Sequence, residues 1–139
     1  SPMTQYFFAQ ALQKQGDSRF KSVKIKSAGL FAQEGMPATP EAIEVMMREG
    51  LDLRSHRSTQ VDGGMIEDAD LIITMTRSQK DQLTKSYPYK KDKIFTLGEM
   101  AGYEDFELSD PFGQGLAEYI KTFEQIKKMV NIIVERLAE

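Results

Sequence analysis

The 139 residues are 40% hydrophobic, set 18 Lys and Arg against 21 Asp and Glu for a formal charge of −3, and contain no cysteine and one histidine. A chain of this length makes one domain, 1–139, that buries a core without covalent staples. The composition excludes a disulfide framework, a cysteine-ligated zinc or iron–sulfur site and a cysteine nucleophile within these residues, and it argues against a His-rich metal site. The slight acidity argues against a nucleic-acid partner. No apolar run approaches the ~20 residues of a membrane span, and no secretory signal is visible, so a cytoplasmic protein without a membrane partner, metal or cofactor is expected.

The chain opens Ser1-Pro2-Met3 rather than on an initiator Met. Either a Met was removed before Ser1 or the sequence starts inside a longer one. Helical and strand-like segments then alternate, the pattern of an α/β domain with a parallel sheet. A first helix is predicted over Pro2–Gln15, capped by Ser1, with Phe7, Phe8, Ala11 and Leu12 on one face. Val23 and Ile25 alternate with Lys24 and Lys26, a half-exposed edge strand running into the small-residue turn Ser27-Ala28-Gly29. A loop from Leu30 to Ala38 follows. Thr39-Pro40-Glu41 starts a second helix that ends at Gly50.

Residues 51–62 are polar and irregular and hold His56. A short helix near 64–68 leads into Leu71–Met75, whose continuous apolar character predicts a strand buried on both faces. A helix over 77–86, a strand over 94–97 and a loop over 98–114 come next. The last helix, about 115–137, lays Leu116, Tyr119, Ile120, Phe123, Ile126, Val130, Ile133 and Leu137 along one stripe. That makes three strands and about five helices. A doubly wound sheet normally has four or more strands with the first in its middle, so the strand that should feed the first helix is expected to be absent.

Read from the residues alone, few groups carry chemistry. Asp110, before Pro111 and Phe112 in the loop after the last strand, is either a positioned general acid or ordinary Asp-Pro turn chemistry. Ser1-Pro2 is either the end of an anion-binding loop or a helix cap. His56 is a base or a structural hydrogen-bonder. Phe31 and Phe112 wall a pocket or simply pack. Arg54 and Arg57 bring positive charge towards a phosphate or sit on the surface. Lys90–Lys93 reads as a solvated turn, and the eight Met residues fall mostly at core spacings.

Taken in order, Ser1-Pro2-Met3, Ser27-Ala28-Gly29-Leu30-Phe31-Ala32, Ala38-Thr39-Pro40, His56-Arg57-Ser58, Ala69–Met75 and Asp110-Pro111-Phe112-Gly113 resemble the low-molecular-weight protein tyrosine phosphatase family across essentially the whole chain. The resemblance implies a three-layer, flavodoxin-like parallel sheet of about four strands in the parent. It also implies a signature of Cys, five residues, Arg, then Ser-Pro, of which this chain holds the Ser-Pro. The first strand, the nucleophilic Cys and the phosphate-loop Arg are therefore expected to be missing, and the chain as written is expected to be inactive.

The same resemblance implies a thiolate that attacks phosphorus, helped by loop N–H groups and a bidentate Arg. Asp110 resembles the acid that protonates the leaving group and then activates water, with Pro111 fixing its approach. Ser1 resembles the serine that closes the phosphate loop, Ser27 and His56 resemble residues that hold that loop in shape, and Phe31 and Phe112 resemble pocket walls. Asp-Pro-Phe-Gly in place of Asp-Pro-Tyr, with an aromatic at Phe31, resembles the bacterial branch that acts on phosphoarginine in proteins. Phosphotyrosine is the close alternative, and a phosphorylated protein is the expected partner.

Two rival readings are a non-catalytic relative that binds a partner and an arsenate reductase on the same fold. The second needs relay cysteines that these residues lack. Absence of a central strand would expose unpaired edge groups costing about 1–3 kcal/mol each. The chain as written is thus expected to fold poorly or to pair the gap with something else.

Overall fold

The computed structural model describes residues 1–139. Six α-helices, two 3-10 helices and two short strands make an α/β fold with a parallel sheet. Helix α1 spans Pro2–Gln15, with the Ser1 hydroxyl accepting from Thr4 N–H and Pro2 in the first turn. A proline there forfeits no intrahelical bond and its fixed φ already suits the helix. Helix α2, Pro40–Arg48, repeats the device with Thr39 as cap, and α3, Gly63–Asp68, is capped by Asp62.

Strand β1, Ile72–Thr74, and strand β2, Ile94–Thr96, pair in parallel with Ile72 opposite Ile94. Parallel neighbours need a crossover, and α4, Arg77–Ser86, supplies it. Helix α5, Leu97–Ala101, follows β2 at once, and α6, Leu116–Ala138, closes the chain.

The core lies where α1, α2 and α5 pack on α6. Met3, Phe7, Phe8 and Leu12 of α1 share one buried cluster with Val45, Met46, Leu97, Phe123, Ile126, Val130 and Ile133. A smaller cluster of Ile66, Leu83 and Ile94 seats α3 and α4 against the sheet. Phe7 and Phe123 meet edge to face at 5.5 Å between ring centroids, the offset geometry aromatic quadrupoles favour.

Several sequence expectations need correction. Val23–Lys26 joins no ladder, so it is not a strand. Its main-chain contacts go elsewhere: Val23 N–H donates to Phe20 C=O at 3.3 Å and Ile25 C=O accepts from Gln5 Nε2 at 3.2 Å. An extended segment becomes a strand only where its N–H and C=O groups meet a neighbour's.

The apolar run Leu71–Met75 was expected to be buried on both faces, yet Thr74 is its only buried residue and Leu71 is 38% exposed. Apolar composition reports affinity for a core, not how many layers cover a strand. The expected strand residue Leu97 instead starts α5, because Thr96 and Glu99 form a capping box. Lys90–Lys93 belongs to a 3-10 helix, Pro88–Lys93, and Lys90 Nζ donates to the carbonyls of Glu67 and Ala69 at the end of α3, each at 2.9 Å.

Candidate active site

The first turn of α1 is the hub. Thr4 is buried and its hydroxyl donates to Met75 Sδ at 3.6 Å, just past β1. On the other side Gln5 Nε2 holds Ile25 C=O, and the Ser27 hydroxyl donates to Gln5 Oε1 at 2.5 Å. The start of α1 is thereby pinned between the end of β1 and the segment that carries Ser27.

His56 stands beside this turn, its ring edge-on to Tyr6 at 5.6 Å and 79°. Burial lowers its pKa, and the positive charge of Arg57 lowers it further. The imidazole is therefore neutral at pH 7. The Asp110 carboxylate also acts on the Ser1 nitrogen. His56 and Asp110 thus both lie within electrostatic reach of the head of α1.

Asp110 is delivered there by a loop tied to β1, since Leu108 N–H donates to Met75 C=O at 3.1 Å. Leu108 and Pro111 are buried while Asp110 and Phe112 are exposed. The turn closes on itself: Phe112 N–H donates to Asp110 Oδ1 at 3.0 Å and Gln114 Nε2 donates to Asp110 C=O at 3.2 Å. An Asx turn of this kind fixes the carboxylate by its own backbone. The result is an acid held on an anchored turn, facing solvent next to an aromatic ring.

Phe31 is 87% exposed and Phe112 is 71% exposed. The two rings make no aromatic contact with each other. Phe31 projects from a loop whose base pairs with a second segment: Gly29 N–H donates to Thr59 C=O and Val61 N–H to Gly29 C=O, both at 2.9 Å.

The structure therefore places Ser1, Ser27 and His56 at one helix head with Asp110 in electrostatic reach of it, while Phe31 and Phe112 project, exposed, from two separate loops. Arg54 and Arg57 serve their own loop instead. Arg54 folds back onto Asp52 at 2.8 Å, and Arg57 Nη1 donates to the carbonyls of Arg54 and His56. No group of three or more His, Asp or Glu side chains is placed to hold a metal. Sequence reasoning passed over Thr4, Gln5 and Gln60. Thr4 and Gln5 were signalled by position, being polar residues in the first turn after a helix-opening Ser-Pro.

Comparison with known proteins gives the family. The family described as low molecular weight phosphotyrosine protein phosphatase matches residues 1–139. A probable low molecular weight protein-tyrosine-phosphatase, EpsP, from Ralstonia nicotianae is 36% identical over 137 residues, covering 99% of this chain and 87% of that protein. A protein-arginine-phosphatase from Geobacillus stearothermophilus is 31% identical over 121 residues, 87% of this chain and 81% of its own. The solved structure of the YwlE arginine phosphatase, a cysteine-to-serine mutant with a phosphorylated active-site serine, superposes with a TM-score of 0.92 at 28% identity, covering 100% of this chain and 88% of that one. The chain belongs to the low molecular weight phosphotyrosine protein phosphatase family and is a phosphatase by that membership.

Proposed function

We propose that these residues form the acid and pocket-wall side of a site that hydrolyses phosphoarginine in proteins through a phosphocysteine intermediate. The observation that carries the reading is Asp110, an exposed carboxylate on a self-bonded turn beside the buried Pro111 and the open ring of Phe112. In the first step a thiolate forms an S–P bond as the P–N bond breaks. The electron pair goes to nitrogen, which takes its proton from Asp110. In the second step the Asp110 carboxylate removes a proton from water, the water oxygen bonds phosphorus, and the S–P bond breaks to return the thiolate and free phosphate.

The remaining residues act on geometry. Ser1 and the head of α1 close the phosphate cradle, where free N–H groups and the helix dipole favour an anion. Ser27, through Gln5, and the neutral His56 hold that head in place. Phe31 and Phe112 offer ring faces to a planar guanidinium, which stacks on aromatics more readily than an ammonium does. The phosphorylated serine in the YwlE mutant supports a covalent phosphoryl-enzyme as the intermediate. Phosphotyrosine is the second reading, favoured by the name of the Ralstonia relative at 36% identity.

These 139 residues contain no thiol, so the chain alone is expected to show no phosphatase turnover. Turnover is expected when a Cys-x5-Arg phosphate-loop segment is joined ahead of Ser1. In that joined chain, kcat/KM measured on phosphoarginine and phosphotyrosine peptides should favour phosphoarginine, and Phe112→Tyr should move the ratio towards phosphotyrosine. A preference for phosphotyrosine that Phe112→Tyr leaves unchanged would establish the second reading instead.

A further inference from the structure

Gln60 has no part in the chemistry above, yet its side-chain amide grips the chain on both sides of Phe31. Its Oε1 accepts from Ala32 N–H at 2.6 Å, and its Nε2 donates to Leu30 C=O at 2.7 Å. We propose that Gln60 is a positioning residue that sets Phe31 as a pocket wall and thereby selects a phosphorylated guanidinium over a phosphorylated phenol. The inference rests on the reading of Phe31 as a wall of the substrate pocket.

A ring 87% exposed has few contacts of its own to hold it, so its direction depends on the peptide units around it. One amide bonded to both neighbours fixes those units together. The grip has a single orientation. Turning the amide over would set its NH2 against the Ala32 N–H and its oxygen against the Leu30 carbonyl, two repulsive pairs.

The rest of the loop is fastened to the same segment. Gln60 N–H donates to Glu34 Oε1 at 2.5 Å, Met36 N–H donates to Ser58 Oγ at 3.0 Å, and the Ser58 hydroxyl donates to Gln33 C=O. The turn into Phe31 is also tight, since a Cβ on Gly29 would lie 2.9 Å from Ala32 Cβ.

Selectivity follows from the different demands of the two substrates. A guanidinium gains from an aromatic ring only when it lies over the ring face, within about 6 Å of the centroid. A phenol is accommodated by the same ring either offset-stacked or edge-on, with much of its gain coming from non-directional burial. Loosening Phe31 therefore weakens phosphoarginine recognition more than phosphotyrosine recognition.

The first test uses the chain with the Cys-x5-Arg segment ahead of Ser1: Gln60→Ala should accelerate hydrogen exchange at the Ala32 amide while β1 and β2 amides keep their protection. An Ala32 amide as protected as before overturns the proposal. The second uses the same chain. There Gln60→Ala should lower the phosphoarginine-to-phosphotyrosine ratio of kcat/KM about tenfold, mainly through KM, the size expected of one lost stacking contact. Added to Phe31→Ala, it should change the ratio no further.

If Phe31→Ala shifts the ratio and Gln60→Ala does not, the proposal fails and the reading of Phe31 stands. If Phe31→Ala leaves the ratio unchanged, the reading itself fails. Should Gln60→Ala lose global protection, Gln60→Glu is measured in its place. It keeps the acceptor for Ala32 N–H and loses the donor to Leu30, so it should give a smaller drop in the ratio, and no drop overturns the proposal.

Discussion

Asp110 illustrates how little a residue needs for a catalytic role once its surroundings are fixed. Its Oδ1 is occupied by Phe112 N–H, so the turn survives replacement by an isosteric amide, which accepts the same bond but cannot deliver a proton. Asp110→Asn in the chain carrying the phosphate-loop segment should therefore slow turnover by about 10²–10⁴-fold, the usual worth of a general acid, with unchanged thermal unfolding. Steady-state rates and a melting curve on the same sample decide it, and an unaltered rate removes Asp110 from the mechanism. Gly98 shows the opposite dependence, on space alone. A Cβ there would sit 2.4 Å from Tyr103 C=O and 2.8 Å from Phe106 C=O, both backbone atoms. Gly98→Ala must displace the loop leading towards Asp110, and overpacking of this kind costs about 1–3 kcal/mol or more. Urea unfolding should show that loss.

At the scale of elements, polar caps decide where structure starts. Thr76 and Gln79 form a reciprocal box at the head of α4: Gln79 N–H donates to the Thr76 hydroxyl at 3.2 Å, and Gln79 Oε1 accepts from Thr76 N–H at 3.2 Å and Met75 N–H at 3.0 Å. Thr76→Ala breaks half of it and should cost about 1 kcal/mol in chemical denaturation, within the 0.5–2 typical of caps. Such caps are local, which is why α1 and α2 were legible from Ser1-Pro2 and Thr39-Pro40, while the Thr76 cap of α4 was passed over. The Val23–Lys26 segment was not legible, because alternation specifies a surface while pairing requires a second chain segment. For the site, Ser1, Ser27, His56 and Asp110 were picked out as candidates through motif order, and the structure adds the contacts that tie Ser27 and His56 to α1. Gln60 was invisible because a glutamine in a polar stretch carries no pattern, and only the folded loop gives it two partners.

Across the whole molecule, α6 supplies the surface on which α1, α2 and α5 meet, so stability is concentrated there. Glu99 fastens the opposite side, where β2, α4 and α5 join. Its carboxylate accepts from Lys80 Nζ at 2.8 and 2.9 Å and from Thr96 N–H at 2.9 Å, with Arg77 Nη1 4.0 Å away. Burial pushes the Glu99 pKa up, but the bonds from Lys80 and Thr96 and the charges of Lys80 and Arg77 outweigh it and hold the group below its ordinary value. The folded state then binds fewer protons than the unfolded chain in the interval between the two pKa values, so stability rises with pH there. The contribution is fully present above the ordinary glutamate range and is lost as pH falls through the folded value. Glu99→Gln keeps an acceptor for Thr96 N–H and removes only the charge, so its melting temperature should change less between neutral and acid pH than that of the parent. Asp17 and Asp52 are each held to about 2 chiefly by side-chain hydrogen bonds from Arg19 and Arg54; Asp52 is exposed, Asp17 is half-buried beside an exposed Arg19, and both pairs lie at the surface where solvent screens them. They leave a residual acid slope in both proteins, so the difference between the two melting curves isolates Glu99. Superimposable pH profiles would show that the Lys80–Glu99 pair adds nothing to the fold.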